Sequence, residues 1–239
     1  MKDHIGTFYG VGVGPGDPEL ITLKALRVLE TVPHIFAASS TKNSYSLALN
    51  IVQRHLSQAR VTPLAFPMTK EAAILQEAWE ENAQRVLQVL LAGEDAAFIT
   101  LGDPLTYSTY GYLLKTLKRL KPQAQIVTIP GITSYNAAAA LTNTPLAEGE
   151  ESVYLVSGAM GGAKLREAAR IAENIVLLKA YRHFDDICAA LEDLDLLDHA
   201  TCVRLCGLEG EKVEKDLRAL KGQPMPYLSM IIIKKNGKM

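Results

Sequence analysis

The sequence lacks an excess of either charge. Its 239 residues include 25 Lys and Arg against 26 Asp and Glu, for a formal net charge of −1, and no long Lys/Arg tract occurs. This balance excludes a bulk electrostatic attraction to nucleic acid or to an anionic membrane. It does not exclude an acidic small molecule held by a few local cations.

Cysteine is also scarce. The three cysteines, Cys188, Cys202 and Cys206, are an odd number without a CxxC pair. They exclude a disulfide framework and indicate reduced thiols, as in a cytoplasm. Cys202 and Cys206 are candidate metal ligands, but we interpret Cys202 as a buried strand position. The histidines lack a metal-ligand spacing such as HxxxH, so we expect no protein-bound metal.

Long apolar runs are missing as well. No stretch reaches the ~18 apolar residues that a membrane span requires, and residues 1–6 lack the apolar core of a signal peptide. Hydrophobic residues make up 48% of the chain and charged residues 21%. This composition is ordinary for a globular protein with a substantial core, and we expect a soluble cytoplasmic protein.

The first part of the chain alternates strand-like with helix-like segments. Apolar runs bounded by turn residues predict strands at 8–13, 34–38, 61–66, 96–101 and 126–129. Amphipathic patterns predict helices at 20–29, 47–56, 70–91, 110–120 and 135–141. Such alternation predicts right-handed βαβ units and a mainly parallel sheet, whose ligands bind beyond the carboxyl ends of the strands.

A second pattern of strands and helices follows a stretch rich in turn residues and acids, 142–151, that resembles a linker. It predicts strands at 153–156, 175–178, 201–205 and 228–233, and helices at 164–171, 184–191 and 215–220. The fold class is therefore α/β, with two α/β domains, residues 1–145 and residues 146–239.

The first motif, Gly10–Pro18, reads GVGVGPGDP and follows the first predicted strand. Glycines at such a turn let the backbone approach a ligand closely. A dinucleotide-binding GxGxxG turn does not fit, because no glycine triple has that spacing and Pro15 lacks the N–H that would help hold a pyrophosphate. The alternative is a glycine-rich turn with no ligand.

The second motif, Leu101–Gly111, reads LGDPLTYSTYG. A buried strand that leads directly into Gly-Asp-Pro exposes a carboxylate and backbone carbonyls at the sheet edge. These groups suit a cationic ligand, such as a sulfonium with its amino acid tail. The alternative is that Asp103 is a helix N-cap with Pro104 at the first helical position.

The third motif, Ile129–Ser134, reads IPGITS and places hydroxyl groups at another strand-to-helix junction, where a plain helix cap is the alternative. Together the three motifs resemble the tetrapyrrole methylase family, which has a proline-containing glycine loop, a GDP motif and a PGI[ST]S motif in this order. Order, spacing and domain layout match over essentially the whole chain. The segments SYSLA (44–48), FPMTK (66–70) and KAYRHF (179–184), with Trp79, are similar to the subgroup that methylates precorrin-2 at C-20.

The resemblance implies a homodimer that holds S-adenosylmethionine and a tetrapyrrole in the cleft between its two domains. By position, it also implies a set of cofactor contacts. These are Pro15, Leu101, Gly102, Asp103, Thr106, Thr133, Ser134, Lys179 and Gly207.

Methyl transfer from a sulfonium needs no strong base and no covalent nucleophile, because the donor is already activated. Holding the accepting carbon about 3–3.5 Å from the methyl supplies much of the acceleration. The methylated carbon must then lose a proton, for which Tyr107, Tyr110 and His183 are candidates; each is alternatively a positioning or packing residue. Candidate partners of the substrate carboxylates are Lys42, Lys70 and Arg182, the alternative being solvated surface charges.

Several alternatives stay open. Other tetrapyrrole methylases act at different ring positions, and diphthine synthases and a group of ribosomal-RNA methyltransferases share the fold. The last group should show a stronger basic patch. Two alternatives come from other classes of protein. A nucleotide-sensing module has no feature of the sequence in its favour. An NAD-dependent oxidoreductase should have an acidic residue at the end of the second strand, whereas this strand ends in Phe36–Ser39, which contains no acid. The sequence does not separate a metal-free from a cobalt-bearing substrate.

Overall fold

The protein is described by a computed structural model that covers residues 4–39, 46–56 and 59–236. The chain divides into two compact units, Met1–Thr133 and Ser134–Met239. In the described part of the chain, each unit contains one five-stranded sheet. No helix in these three ranges is long and apolar enough to cross a membrane.

The first unit is a parallel α/β sheet, as predicted. Its strands are β1 (Phe8–Gly12), β2 (His34–Ser39), β3 (Arg60–Ala65), β4 (Ala96–Thr100) and β5 (Ile126–Ile129). Its helices are α1 (Leu23–Thr31), α2 (Leu47–Val52), α3 (Ala72–Leu91) and α4 (Tyr110–Leu120). The strand order is β3-β2-β4-β1-β5, and every pairing is parallel.

The core of this unit lies on both faces of the sheet. Because successive side chains of a strand point to opposite faces, Phe8 and Phe98 join one buried cluster while Val11 and Ile99 join the other. Strands buried on both faces have near-continuous apolar sequences, which is why β1 and β4 were predictable.

The second unit has a mixed sheet in the order β6-β7-β10-β8-β9. Its strands are β6 (Val153–Ser157), β7 (Asn174–Leu178), β8 (Ala200–Arg204), β9 (Lys212–Glu214) and β10 (Ser229–Lys234). Its helices are α5 (Ser134–Thr142), α6 (Ala163–Ala168) and α7 (Phe184–Asp193). Strand β6 is parallel to β7, whereas β10 is antiparallel to both β7 and β8, and β9 to β8.

Two elements of the second unit differ from the prediction. The helix predicted at 215–220 is only a 3₁₀ turn, Leu217–Leu220, begun by Asp216, whose carboxylate accepts a hydrogen bond from Arg218 N at 3.1 Å. Strand β9 was not predicted, because its three residues are mostly exposed and polar and therefore form no apolar run.

The unit boundary lies before α5, whereas the predicted domain boundary lies after it, at 145/146. Ala138 of α5 is buried in a cluster with Val203, Met230 and Ile232 of β8 and β10. The linker is also attached to this sheet, since the buried Lys234 ammonium donates to Pro145 O at 2.9 Å. The turn-rich composition of 142–151 therefore marks a loop inside the second unit.

The cysteines all lie in the second unit, and all three are buried free thiols. Cys202 is on β8 and fully buried, which confirms its interpretation as a buried strand position. Burial raises the pKa of Cys188 and Cys206 to about 11 and that of Cys202 to about 12. These thiols are thus poor nucleophiles at neutral pH. Within the described residues, no three His, Cys, Asp or Glu side chains are grouped to hold a metal ion.

Acid should weaken the contact that joins the start of β6 to the segment before β7. Hydrogen bonds from the hydroxyl and backbone N–H of Ser152 lower the pKa of Glu173 from 4.5 to about 2. Because the folded-state pKa is depressed, this stabilisation is complete above the unfolded pKa and is lost as pH falls from about 4.5 to about 2.

We therefore expect Glu173→Gln to lower the melting temperature slightly at pH 7, on the order of 1 °C because the carboxylate is solvent-screened. This difference should shrink as pH falls across the same interval. Thermal melts of both proteins between pH 7 and pH 2 measure it; a difference independent of pH would contradict the assignment.

Candidate functional site

The three sequence motifs meet at one edge of the first sheet. Strands β4, β1 and β5 are adjacent and parallel, so the loops that follow them leave from the same, carboxyl edge. The glycine motif forms the loop after β1, the GDP motif forms the loop after β4, and the PGITS segment follows β5. The predicted parallel sheet is confirmed, and its strand order brings the three motifs to one edge.

The first two loops are joined by backbone hydrogen bonds. Gly102 N donates to Gly14 O at 2.7 Å, and Gly14 N donates to Gly102 O at 3.4 Å. Both residues have positive φ, 86° for Gly14 and 68° for Gly102, a conformation that favours glycine. A Cβ at Gly102 would come no closer than 3.9 Å to Ile132 O, so the backbone angle rather than crowding selects glycine there.

The three loops also touch at their glycines. A Cβ on Gly12 would lie 2.6 Å from Gly102 O and 2.7 Å from Gly131 N. A Cβ on Gly131 would lie only 2.1 Å from Gly102 O and 2.8 Å from Gly12 C. Gly12 and Gly131 were not among the predicted site residues. The sequence feature that could have identified them is that each is a glycine inside a motif, at or just after the end of a strand.

Asp103 connects the second loop to the third. Its Oδ2 accepts a hydrogen bond from Gly131 N at 3.1 Å, and its Oδ1 accepts from Leu105 N at 2.9 Å and from Thr106 Oγ1 at 3.5 Å. The N-cap alternative is not observed, because α4 begins only at Tyr110. The carboxylate therefore shapes the edge on which a ligand would lie.

The charge of the three loops has one sign. Segments 10–18, 101–111 and 129–134 contain Asp17 and Asp103 but no Lys or Arg. Asp17 accepts from Glu19 N at 2.8 Å and begins a 3₁₀ turn. Three loops that hold two carboxylates and no Lys or Arg favour a positively charged ligand group and disfavour a phosphate.

The two tyrosines of the GDP motif occupy different environments. Tyr107 is 51% exposed and has φ of 51°, an unusual conformation for a bulky residue. Tyr110 is fully buried, stacks near Phe8 and Phe98, and shares a 2.7 Å hydrogen bond with Thr128. Burial raises the pKa of Tyr110. These contacts favour the packing alternative for Tyr110, whereas Tyr107 is accessible.

Four further predicted residues of the first unit lie in the segments that follow its strands. Pro15 follows Gly14, Leu101 follows β4, and the buried Thr133 ends the unit. Lys70 is exposed in the connection from β3 to α3. Lys42 lies outside the described residues.

The second unit places four of its five predicted residues in the segments that follow β7 and β8. Lys179 directly follows β7 with φ of 58°, and Arg182 and the exposed His183 precede α7. Gly207 follows β8 with φ of 74°, and its N–H donates to Glu211 at 2.6 Å. Ser134 is the first residue of α5.

Strand β10 starts between these two ends. Ala180 N donates to Ser229 O and Leu205 N donates to Leu228 O, both at 2.9 Å. Leu205, like Lys179, has a positive φ, 53°. Non-glycine residues in this conformation are uncommon and often occur at functional sites. Two of them, on either side of the start of β10, therefore indicate a candidate site at this edge of the second sheet.

The first unit is an α/β unit whose glycine-lined strand ends carry two carboxylates, an arrangement that suits a small, positively charged ligand group. The family model described as Tetrapyrrole (Corrin/Porphyrin) Methylases matches residues 7–220. The chain therefore belongs to the tetrapyrrole methylase family.

Individual relatives agree with this membership. A cobalt-precorrin-2 C(20)-methyltransferase of Salmonella typhimurium is 34% identical over 232 residues, 96% of this chain and 97% of that protein. A precorrin-2 C(20)-methyltransferase of Sinorhizobium sp. is 28% identical over 240 residues, 96% of this chain and 95% of that protein. The structure of a Thermus thermophilus uroporphyrin-III C-methyl transferase complexed with S-adenosyl homocysteine has the same fold, with a TM-score of 0.67 at 24% identity over 95% of this chain and 97% of that one.

Proposed function

We propose that this protein transfers a methyl group from S-adenosylmethionine to the C-20 meso carbon of cobalt-precorrin-2 or precorrin-2, in cobalamin biosynthesis. The observation that carries the proposal is the 34% identity to the Salmonella typhimurium enzyme, which extends over nearly the full length of both chains. Convergence of the three motifs at one strand edge supports the methyl-donor part of the proposal.

The first unit fits S-adenosylmethionine at the level of charge and backbone. The three motif segments offer two carboxylates and no Lys or Arg to a sulfonium and an ammonium group. The glycines keep side chains out of the loop contacts. When bound, this donor supplies an activated methyl, whose C–S bond breaks as the new C–C bond forms.

We assign the cofactor contacts by unit. In the first unit they are Pro15, Leu101, Gly102, Asp103, Thr106 and Thr133, and in the second unit they are Ser134, Lys179 and Gly207. The role of Asp103 is to hold the second and third loops in register through Gly131 and Leu105. These residues position the donor and keep water from it, which is the main catalytic work that an activated donor leaves to the protein.

For proton removal after methylation, we assign Tyr107 or His183, both exposed at strand-end loops. Tyr110 is assigned to packing, because its hydroxyl is bonded to Thr128 in the core. The variants Tyr107→Phe and His183→Gln separate the two candidates. The single-turnover rate should fall in the variant that lacks the proton acceptor.

The substrate carboxylates require cations, for which we assign Lys70 and Arg182, together with Lys42. Lys70→Ala should raise the KM for the tetrapyrrole about fivefold to tenfold with little change in kcat, because a partly exposed charge pair contributes on the order of 1 kcal/mol. Steady-state kinetics at saturating S-adenosylmethionine measure this. Lys115→Ala, an exposed lysine of α4, is the matched control, and an equal KM for both variants would place Lys70 outside the substrate site.

We also propose that the protein is a cytoplasmic homodimer. The buried free thiols suit a reducing compartment. Light scattering of the purified protein tests the dimer, and cell fractionation tests the compartment; a monomer or a membrane-associated pool would overturn the respective proposal.

The function itself is tested by anaerobic incubation with S-adenosylmethionine and either cobalt-precorrin-2 or precorrin-2, followed by mass spectrometry. One methyl gained, located at C-20, is the expected result, and a gain on one substrate alone assigns the pathway branch. No methyl on either, with S-adenosylhomocysteine binding demonstrated by thermal shift, would reject the substrate and retain the family.

A further inference from the structure

We propose that Tyr181, Arg182 and Tyr227 form a preorganised contact in the second unit for the face and the carboxylates of the tetrapyrrole. This inference rests on the proposed function, which it deepens by adding Tyr181 and Tyr227 to the residues that bind the substrate. We call these three residues the tyrosine cluster.

The tyrosine cluster is held together by aromatic contacts. The rings of Tyr181 and Tyr227 lie edge to face, with centroids 5.1 Å apart and an interplanar angle of 67°. The Arg182 guanidinium carbon lies 5.7 Å from the centroid of the Tyr181 ring, a cation–π distance. Tyr227 nevertheless remains 52% exposed, so this assembled arrangement leaves a large aromatic surface available.

The backbone beneath Tyr227 is fixed on both sides. Leu228 O accepts from Leu205 N after β8, and Ser229 O accepts from Ala180 N after β7. The Ser229 hydroxyl donates to Pro226 O at 2.6 Å, and Pro226 itself restricts the chain just before Tyr227. An exposed aromatic side chain on so constrained a backbone loses little entropy when a ligand binds.

The chemistry of the cluster favours a flat, anionic ligand. Tyrosine rings offer apolar contact area to a conjugated macrocycle, and an adjacent guanidinium is suited to carboxylate groups on its rim. A tetrapyrrole combines both properties. The adenine of the cofactor is flat but uncharged and would leave Arg182 unused, so the observations favour the substrate.

The test measures two ligands separately on Tyr227→Leu. Uroporphyrin III, a stable tetrapyrrole carboxylate, is titrated by fluorescence, and S-adenosylhomocysteine by calorimetry. We expect the uroporphyrin Kd and the KM for the methyl acceptor to rise about fivefold to tenfold, as for the loss of an aromatic contact, with the S-adenosylhomocysteine Kd within about twofold of wild type. Tyr227→Phe should bind both ligands like wild type, because the ring rather than the hydroxyl makes the contact.

Two further variants sharpen the result. Arg182→Gln should weaken uroporphyrin binding and reduce its dependence on salt. Tyr154→Leu is the matched control, since Tyr154 is 44% exposed on β6 of the same unit, away from the strand ends that carry the cluster, and should change neither affinity.

The outcomes are distinct. If Tyr227→Leu weakens S-adenosylhomocysteine binding and leaves uroporphyrin binding unchanged, the tyrosine cluster binds the cofactor and not the substrate. If it changes the binding of neither ligand, the cluster has only a structural role. Failure of wild type to bind uroporphyrin would also overturn the proposal. If wild type binds uroporphyrin through the cluster but does not methylate C-20, the proposed reaction fails while the cluster stands.

Discussion

Gly131→Ala is expected to lose most of its affinity for S-adenosylhomocysteine, on the order of 100-fold, and to be destabilised by about 2–3 kcal/mol. The added methyl would lie 2.1 Å from Gly102 O and 2.8 Å from Gly12 C. Both neighbours are backbone atoms, so no side-chain rotation relieves the overlap, and the loops after β1, β4 and β5 must separate. Calorimetric titration gives the affinity, and urea unfolding gives the stability.

Gly111→Ala is the matched control for this substitution. Gly111 lies in α4 of the same unit, and a Cβ there would meet nothing within 4 Å. Because alanine is the better helix former, this variant should be as stable as wild type or more stable by up to about 1 kcal/mol, with unchanged affinity. Equal effects of the two substitutions would mean that the glycine contacts between the loops do not organise the site.

Asp103→Ala is expected to weaken S-adenosylhomocysteine binding about 10-fold to 100-fold while lowering the free energy of unfolding by only about 1 kcal/mol. The substitution removes the acceptor for Gly131 N and Leu105 N and with it the link between the second and third loops. It also removes one of the two negative charges of the three motifs. Asp103→Asn, which keeps an acceptor oxygen but not the charge, should fall between Asp103→Ala and wild type.

A second carboxylate, at the other end of β4, provides the comparison for Asp103. Asp95 precedes β4 and accepts a hydrogen bond from Thr7 N at 2.7 Å, at the opposite, amino end of the sheet. Asp95→Ala should therefore reduce stability by a similar amount and leave cofactor affinity unchanged. If both variants bind S-adenosylhomocysteine like wild type, Asp103 has no part in the cofactor site.

Local sequence patterns predicted most of the elements of both units. Strands β1, β4 and β5 are short apolar runs ended by glycine or proline, and α4 was predicted with the bounds that the structure has, Tyr110–Leu120. Strand β9 was not predicted, because it is a strand through its pairing with β8 and has no apolar pattern of its own. The helix predicted at 215–220 failed because its sequence supports only one short turn.

The sequence by itself determined the family, the parallel sheet of the first unit and the strand-end position of the motifs, because these depend on periodicity and on motifs within short segments. Only the tertiary structure decided that Gly12, Gly102 and Gly131 touch, that Asp103 bonds to Gly131, and that Tyr110 is buried while Tyr107 is not. It likewise decided that β10 lies between β7 and β8 and carries Tyr227 to the edge marked by Lys179. The physical reason is that these contacts join residues far apart in the chain, and strand order, which no local pattern encodes, sets which of them meet.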